Sequence, residues 1–135
     1  MLRAALRTSV TASAAAYGYT VSIWCSGALL LRSHGLPTVA EVFAFAAGAL
    51  AGFGLMRVIS HWGSAPTDRT DAPHDRALAG ALHWLSVGAA VGAVALLAHL
   101  GGWEVWPLAS FAATCLYLLC AGVQLMLVWY LRPAR

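Results

Sequence analysis

Residues 38–62, TVAEVFAFAAGALAGFGLMRVISHW, constrain the fold more than any other stretch of the chain. From 42 to 56 there is no charged side chain. At 1.5 Å of rise per residue, about 20 apolar residues cross a hydrocarbon layer roughly 30 Å thick. Thr38-x-x-Glu41 at the start has the spacing of a capping box, in which each side chain bonds the other residue's backbone N–H. His61, Trp62 and Gly63 follow at the end: a side chain able to carry positive charge, an interfacial aromatic and a helix-stopping glycine. Ala44, Gly48 and Gly52 recur every four residues and so share one face, where small side chains let a second helix backbone come close. Gly48 and Gly52 are therefore expected packing positions. So are Gly88 and Gly92, which line up with Gly80 around Trp84 on a later helix.

Composition agrees with a membrane reading. Hydrophobic residues make up 61% of the chain and charged residues 10%, against about 25% charge in soluble domains. The 135 residues suit one unit, 1–135, without a second domain. The net charge of +3 comes from scattered arginines, all eight basic residues being Arg. They fit orientation charges better than a nucleic-acid surface, so no nucleic-acid partner is expected. Arg without Lys, with abundant Ala and Gly, reads as a GC-rich bacterial source. Cys25, Cys115 and Cys120 lie in apolar runs without CxxC or CxxH spacing, and are expected to pack as small apolar side chains. Arg3, Arg7 and Ala12-Ser13-Ala14 imitate a signal peptide but lack the preceding apolar core of about 7–15 residues. The whole chain is expected to be mature protein.

Length and apolarity predict an all-α membrane protein with transmembrane helices at about 11–31, 39–62, 77–100 and 106–131. The links at 32–38 and 101–105 are short, which predicts two antiparallel hairpins, first helix with second and third with fourth. The link 63–76 is longer and polar, with proline, as expected of a solvated loop. Arg3, Arg7, Arg57, Arg69, Arg76, Arg132 and Arg135 fall on one side and Arg32 alone on the other. By the positive-inside rule this puts both termini and the long loop in the cytoplasm, in the inner membrane of a bacterium. Trp103 and Trp106 are then expected at the outer interface, and Trp62, Trp84, Trp129 and Tyr130 at the inner one.

Several constellations invite chemistry. His61 and His83 on facing helices would be the pair for a b-type haem, but His61 lies at its helix end and matches His83 poorly in depth. No cofactor is expected. Asp68, Asp71, His74 and Asp75 follow no metal motif and sit beside Arg69 and Arg76, so no metal site is expected, and Asp75 reads as a cap for the third helix. Glu41 shares the Gly48 face; it is a cap by its spacing and, in a sharper reading, an ion-handling carboxylate. Polar or small stripes run along the first helix (Ser13, Tyr17, Thr20, Trp24, Gly27) and the fourth (Ser110, Ala113, Tyr117, Gln124), which most often serve packing. Catalytic motifs such as GxSxG, HExxH or a Gly-rich phosphate loop are missing, and no enzyme activity is expected.

Each helix contributes one polar side chain roughly 7–10 Å from the inner boundary: Tyr17, Arg57, His83 and Gln124. Together they would form an inner polar layer suited to an anionic head group or solute. Against this, Arg57 is rotated about 160° from Glu41 at 3.6 residues per turn, away from the Gly48 face.

The reading that follows is a small polytopic inner-membrane protein working as an interaction, assembly or accessory subunit. Its partners are the lipid bilayer and either itself or another membrane protein. An oligomeric channel or transporter for a small solute or ion is the alternative, and a haem- or quinone-linked redox subunit a third. The orientation is directly testable. Reporter fusions after Arg135 and within 67–74 are expected to be active only as cytoplasmic reporters, and periplasmic phosphatase activity at either position would reverse the assignment.

Overall fold

The computed structural model describes residues 2–61 and 73–130, with side chains at 17–60, 83–124, 126–127 and 130. It contains four helices, α1 (Leu2–His34), α2 (Val39–His61), α3 (Pro73–Leu97) and α4 (Val105–Tyr130), and no strand among the described residues. The sequence predicts four spanning helices; among the described residues two stretches, Val39–Ser60 and Val105–Gln124, are long and apolar enough to cross a membrane, and His83–Leu97 is a shorter apolar one.

The helix ends differ from those expected, for local reasons. α1 begins at Leu2 rather than near 11 because the Ala-rich lead contains neither Gly nor Pro, so the helix runs on where the apolar span stops. α3 begins at Pro73, a residue whose fixed φ and missing N–H suit a first helical position. The backbone of Asp75 therefore lies within the first turn of α3, and its side chain, assigned to the cap, lies outside the described residues. α3 stops at Leu97, and the chain tightens through His99 N–H to the Leu96 carbonyl (3.3 Å) and Leu100 N–H to the Leu97 carbonyl (2.9 Å). The left-handed glycine in that turn is Gly102 (φ 100°), not Gly101. α1 ends as its sequence suggests, with Arg32 and His34 in its last turn, Gly35 at φ 81° and the Gly35 N–H donating to the Leu31 carbonyl at 3.0 Å.

α4 is the shared element. It packs against α1, α2 and α3, and α3 also packs against α1. The α3–α4 neighbours therefore lie together as expected. The α1–α2 pairing does not form: these helices make no contact among the described residues, and α2 packs on α4 alone. Trp106 supplies the reason. Its ring is 5% exposed and lies edge-on to His34 at the end of α1, with centroids 6.3 Å apart. Its side chain also comes close to the Glu41 carboxylate in the first turn of α2. The start of α4 is thus wedged under the α1–α2 link. Trp106 is a core residue, not the interfacial aromatic its position in sequence suggests.

α2 and α4 run side by side in the same direction. Gly48 faces Pro107 and Ser110, and one turn later Gly52 faces Phe111, Thr114 and Cys115. A Cβ on Gly48 would collide with the Pro107 carbonyl oxygen and the Ser110 hydroxyl and lie 2.8 Å from the Pro107 carbonyl carbon. At Gly52 it would meet the Phe111 carbonyl oxygen at 3.0 Å and Thr114 Cβ at 3.1 Å. The Ser110 hydroxyl donates across the seam to the Phe45 carbonyl at 2.6 Å. Gly88 and Gly92 behave otherwise: each faces open space, and a Cβ at either position would meet nothing within 4 Å. The face of α3 that packs carries Ser86, Ala90 and Val94 instead, all fully buried.

Gly48→Ala is therefore expected to destabilise, because backbone, not a flexible side chain, occupies the space, and overpacking of this kind costs about 1–3 kcal/mol. Gly92→Ala is expected to stay within about 1 kcal/mol of wild type in either direction. Thermal unfolding of the purified variants in detergent checks both; equal melting of the two would show that the α2–α4 seam yields at no cost.

Candidate functional site

The polar side chains of this apolar chain collect between α1, α3 and α4. On α1 the buried face is Gly18, Ser22, Ser26 and Leu30, spaced four residues apart. The expected stripe is turned outward: Tyr17 is 72% and Trp24 75% exposed, while the side chain of Ser13 lies outside the described residues. Serine suits the inner face because its hydroxyl can bond back to its own helix. Ser22 donates to the Gly18 carbonyl at 2.9 Å and Ser26 to the Ser22 carbonyl at 2.7 Å. Thr114 on α4 does the same to the Ser110 carbonyl at 2.8 Å. These small side chains therefore enter a tight seam without leaving a polar atom unbonded. On α4 the expected stripe is the buried one: Ser110, Ala113, Tyr117 and Gln124 all face inward.

At the centre stands Tyr117, 2% exposed. Its ring stacks on His83 of α3, with centroids 5.8 Å apart and planes inclined by 13°. Its hydroxyl and His83 Nδ1 are 3.3 Å apart. On the other side Tyr19 of α1 tilts against it at 5.6 Å and 57°. Tyr19 and Thr114 hydroxyls are 3.1 Å apart, which joins α1 to α4 a second time. Gly18 makes room for this arrangement, since a Cβ there would approach the Tyr117 hydroxyl to 2.7 Å. The Ser86 hydroxyl donates to Gln124 Oε1 at 3.2 Å and links α3 to α4 through two buried residues.

Of the four residues assigned to an inner polar layer, the structure gathers two. His83 and Gln124 both lie on the α3–α4 seam, bonded to Tyr117 and Ser86 respectively. Tyr17 points away from the bundle, and Tyr19 takes the place expected for it. Arg57 lies on the far side of α4, where α2 and α4 enclose a groove of about 760 Å³ lined by residues that include Phe53, Met56, Ser60, Leu118 and Met126. The rotation of Arg57 away from the Gly48 face was readable in the sequence. The choice of Tyr19 over Tyr17 was not, because both are aromatic and lie two positions apart.

Glu41 completes the capping box in both directions. The Thr38 N–H donates to Glu41 Oε2 at 2.6 Å, the Thr38 hydroxyl donates to the same oxygen at 2.8 Å, and the Glu41 N–H donates to Thr38 Oγ1 at 3.3 Å. Its carboxylate is thus engaged by Thr38 at the start of α2, close to Trp106. His34 reaches across that end too, with Nε2 2.8 Å from the Leu100 carbonyl. All three cysteines are free thiols, and Cys115 packs in the α2–α4 seam with Sγ 3.8 Å from the Gly52 carbonyl. Among the described residues no three His, Cys, Asp or Glu side chains gather as metal ligands. Asp68 and Asp71 lie outside the described residues, as do the side chains of His61, His74 and Asp75. Comparison with family models, with curated proteins and with solved structures finds no match to this chain.

The contact between Gly18 and Tyr117 can be measured. Gly18→Ala is expected to destabilise by pushing the Tyr117 hydroxyl off His83, and Tyr117→Phe to destabilise by removing that hydroxyl. Combined, the two should cost less than their sum, with a coupling of about 0.5–3 kcal/mol. Strict additivity in a double-mutant cycle would show that the hydroxyl is not held where Gly18 leaves room for it.

Proposed function

We propose that this chain is a multi-pass inner-membrane protein, with both termini in the cytoplasm, that serves as an interaction, assembly or accessory subunit. The observation that carries the proposal is the state of α2. Its apolar stretch Val39–Ser60 has a mean hydropathy of 1.9, yet only 11% of its most apolar window is buried within the fold. A core helix of a soluble protein would be mostly covered. Here Phe43, Leu50, Phe53 and Val58 are all more than half exposed. A helix apolar all round and covered on one side calls for lipid or another helix around it.

The polar seam supports a scaffold in preference to a conduit. Ser22, Ser26, Ser86 and Thr114 are fully buried and spend their hydroxyls on the chain's own groups. Such bonds fix how α1, α3 and α4 pack. The outward face of α2 offers an exposed apolar surface to a partner, either a second copy or a different membrane protein.

Native mass analysis after extraction in mild detergent tests the proposal, together with a photo-crosslinking residue placed at Leu50. The expected result is a complex heavier than the 14.1 kDa chain, with a protein adduct formed from position 50. A bare 14.1 kDa monomer that crosslinks only to lipid would overturn the subunit role while leaving the membrane assignment intact.

A further inference from the structure

We infer that the groove between α2 and α4 is a binding site for an acidic phospholipid, with Arg57 holding the phosphate and the apolar walls holding an acyl chain. The inference rests on the membrane assignment above, but not on the subunit role. The two helices are in tight contact at Gly48 and Gly52. Beyond that contact, from Phe53 on α2 and Leu118 on α4 onward, they line a groove of about 760 Å³. That size lies within the range of small-ligand clefts, about 300–1,000 Å³. Gly122 on its α4 wall has nothing within 4 Å of where a Cβ would stand, so the missing side chain contributes to the opening.

Apolar walls alone would accept any lipid tail. Arg57 makes the groove selective, because it belongs to the lining and lies three residues before Ser60, where the apolar span ends. A guanidinium this close to the end of a spanning helix extends toward the head-group layer and leaves its methylenes along apolar surface. Its planar fork matches two phosphate oxygens at once, which an ammonium or a hydroxyl does not. Ser60, one turn on, brings a hydroxyl to the same end of the groove; in the structure it donates to the Arg57 carbonyl at 2.8 Å. A cation at one end and Phe53, Met56, Leu118 and Met126 along the walls complement the phosphate and acyl chain of an anionic glycerophospholipid. The net charge of +3 on the whole chain favours the same lipid class.

The test uses the full chain, delipidated in detergent and then titrated with palmitoyl-oleoyl phosphatidylglycerol, with phosphatidylcholine of the same chains, or with inorganic phosphate. Retained lipid is read by native mass spectrometry and stability by thermal unfolding. Phosphatidylglycerol is expected to remain bound and to raise the melting temperature of wild type, and the other two to do neither. Arg57→Gln should lower phosphatidylglycerol affinity roughly fivefold, the weight of one basic residue at an anionic surface. Arg57→Lys should restore part of the loss. Gly122→Phe, which fills the groove and leaves Arg57 in place, should abolish retention of the lipid. Equal binding of the two lipids, an equal effect of free phosphate, or an unchanged affinity in both Arg57→Gln and Gly122→Phe would each overturn the site. Flotation with phosphatidylcholine vesicles after an alkaline wash separates the two levels of failure. Protein that floats but shows no preference for phosphatidylglycerol loses the lipid site alone, and protein that does not float loses the membrane assignment and the site with it.

Discussion

The indole of Trp106 is buried between two helix ends, with His34 edge-on at the end of α1 and the Glu41 carboxylate close by in the first turn of α2. Because the link between these helices is only a few residues long, a bulky ring beneath it keeps them from meeting along their length. Each must then find its packing surface elsewhere. α1 turns to α3 and α4, and α2 is left with α4 alone. The separation of α1 from α2 at this end goes with where this one side chain sits. The capping box lies at the same end, where the Glu41 carboxylate satisfies the Thr38 N–H close to Trp106.

The second constraint is how closely α2 can approach α4. Two glycines one turn apart bring its backbone against the carbonyls of Pro107 and Phe111, close enough for the Ser110 hydroxyl to bond the Phe45 carbonyl. Close contact of this kind, and the hydrogen bonds it permits, hold the two helices together. Pro107 is accommodated because it lies in the first turn of α4, where its missing N–H would have had no helical partner. On the opposite side of α4 the same economy appears with serine in place of glycine. Ser22 and Ser26 are small enough for close packing and bond to their own helix. Tyr117 can stand upright between Tyr19 and His83 because Gly18 yields it space.

Much of this was legible in the sequence. The number of helices, the α2 boundaries, the capping box, the stop at Gly35 and the packing roles of Gly48 and Gly52 are local properties. They depend on residue type and spacing over one or two turns, and the structure keeps them. The buried stripe of α4 was legible for a related reason: Ser110, Ala113, Tyr117 and Gln124 are small or polar in an otherwise apolar helix and share one of its faces. The candidate site was legible only in half. His83 and Gln124 do meet the α3–α4 seam, whereas Tyr17 and Arg57 lie elsewhere, because similar depth along a helix says nothing about rotation around it.

What the sequence alone determined, then, is a chain of four helices and a set of small residues fit for close contact; it predicts that all four span, whereas among the described residues two are long and apolar enough to cross a membrane. What the tertiary structure decided is which of those residues are used. Gly88 and Gly92 have the same spacing as Gly48 and Gly52, yet they face open space. α3 is rotated so that Ser86, Ala90 and Val94 face its neighbours. Short links made α1 and α2 natural partners, and Trp106 under the link prevents it. Helical periodicity fixes which side chains share a face; which face turns inward depends on the summed fit of several helices at once, and no single stretch of sequence contains that sum.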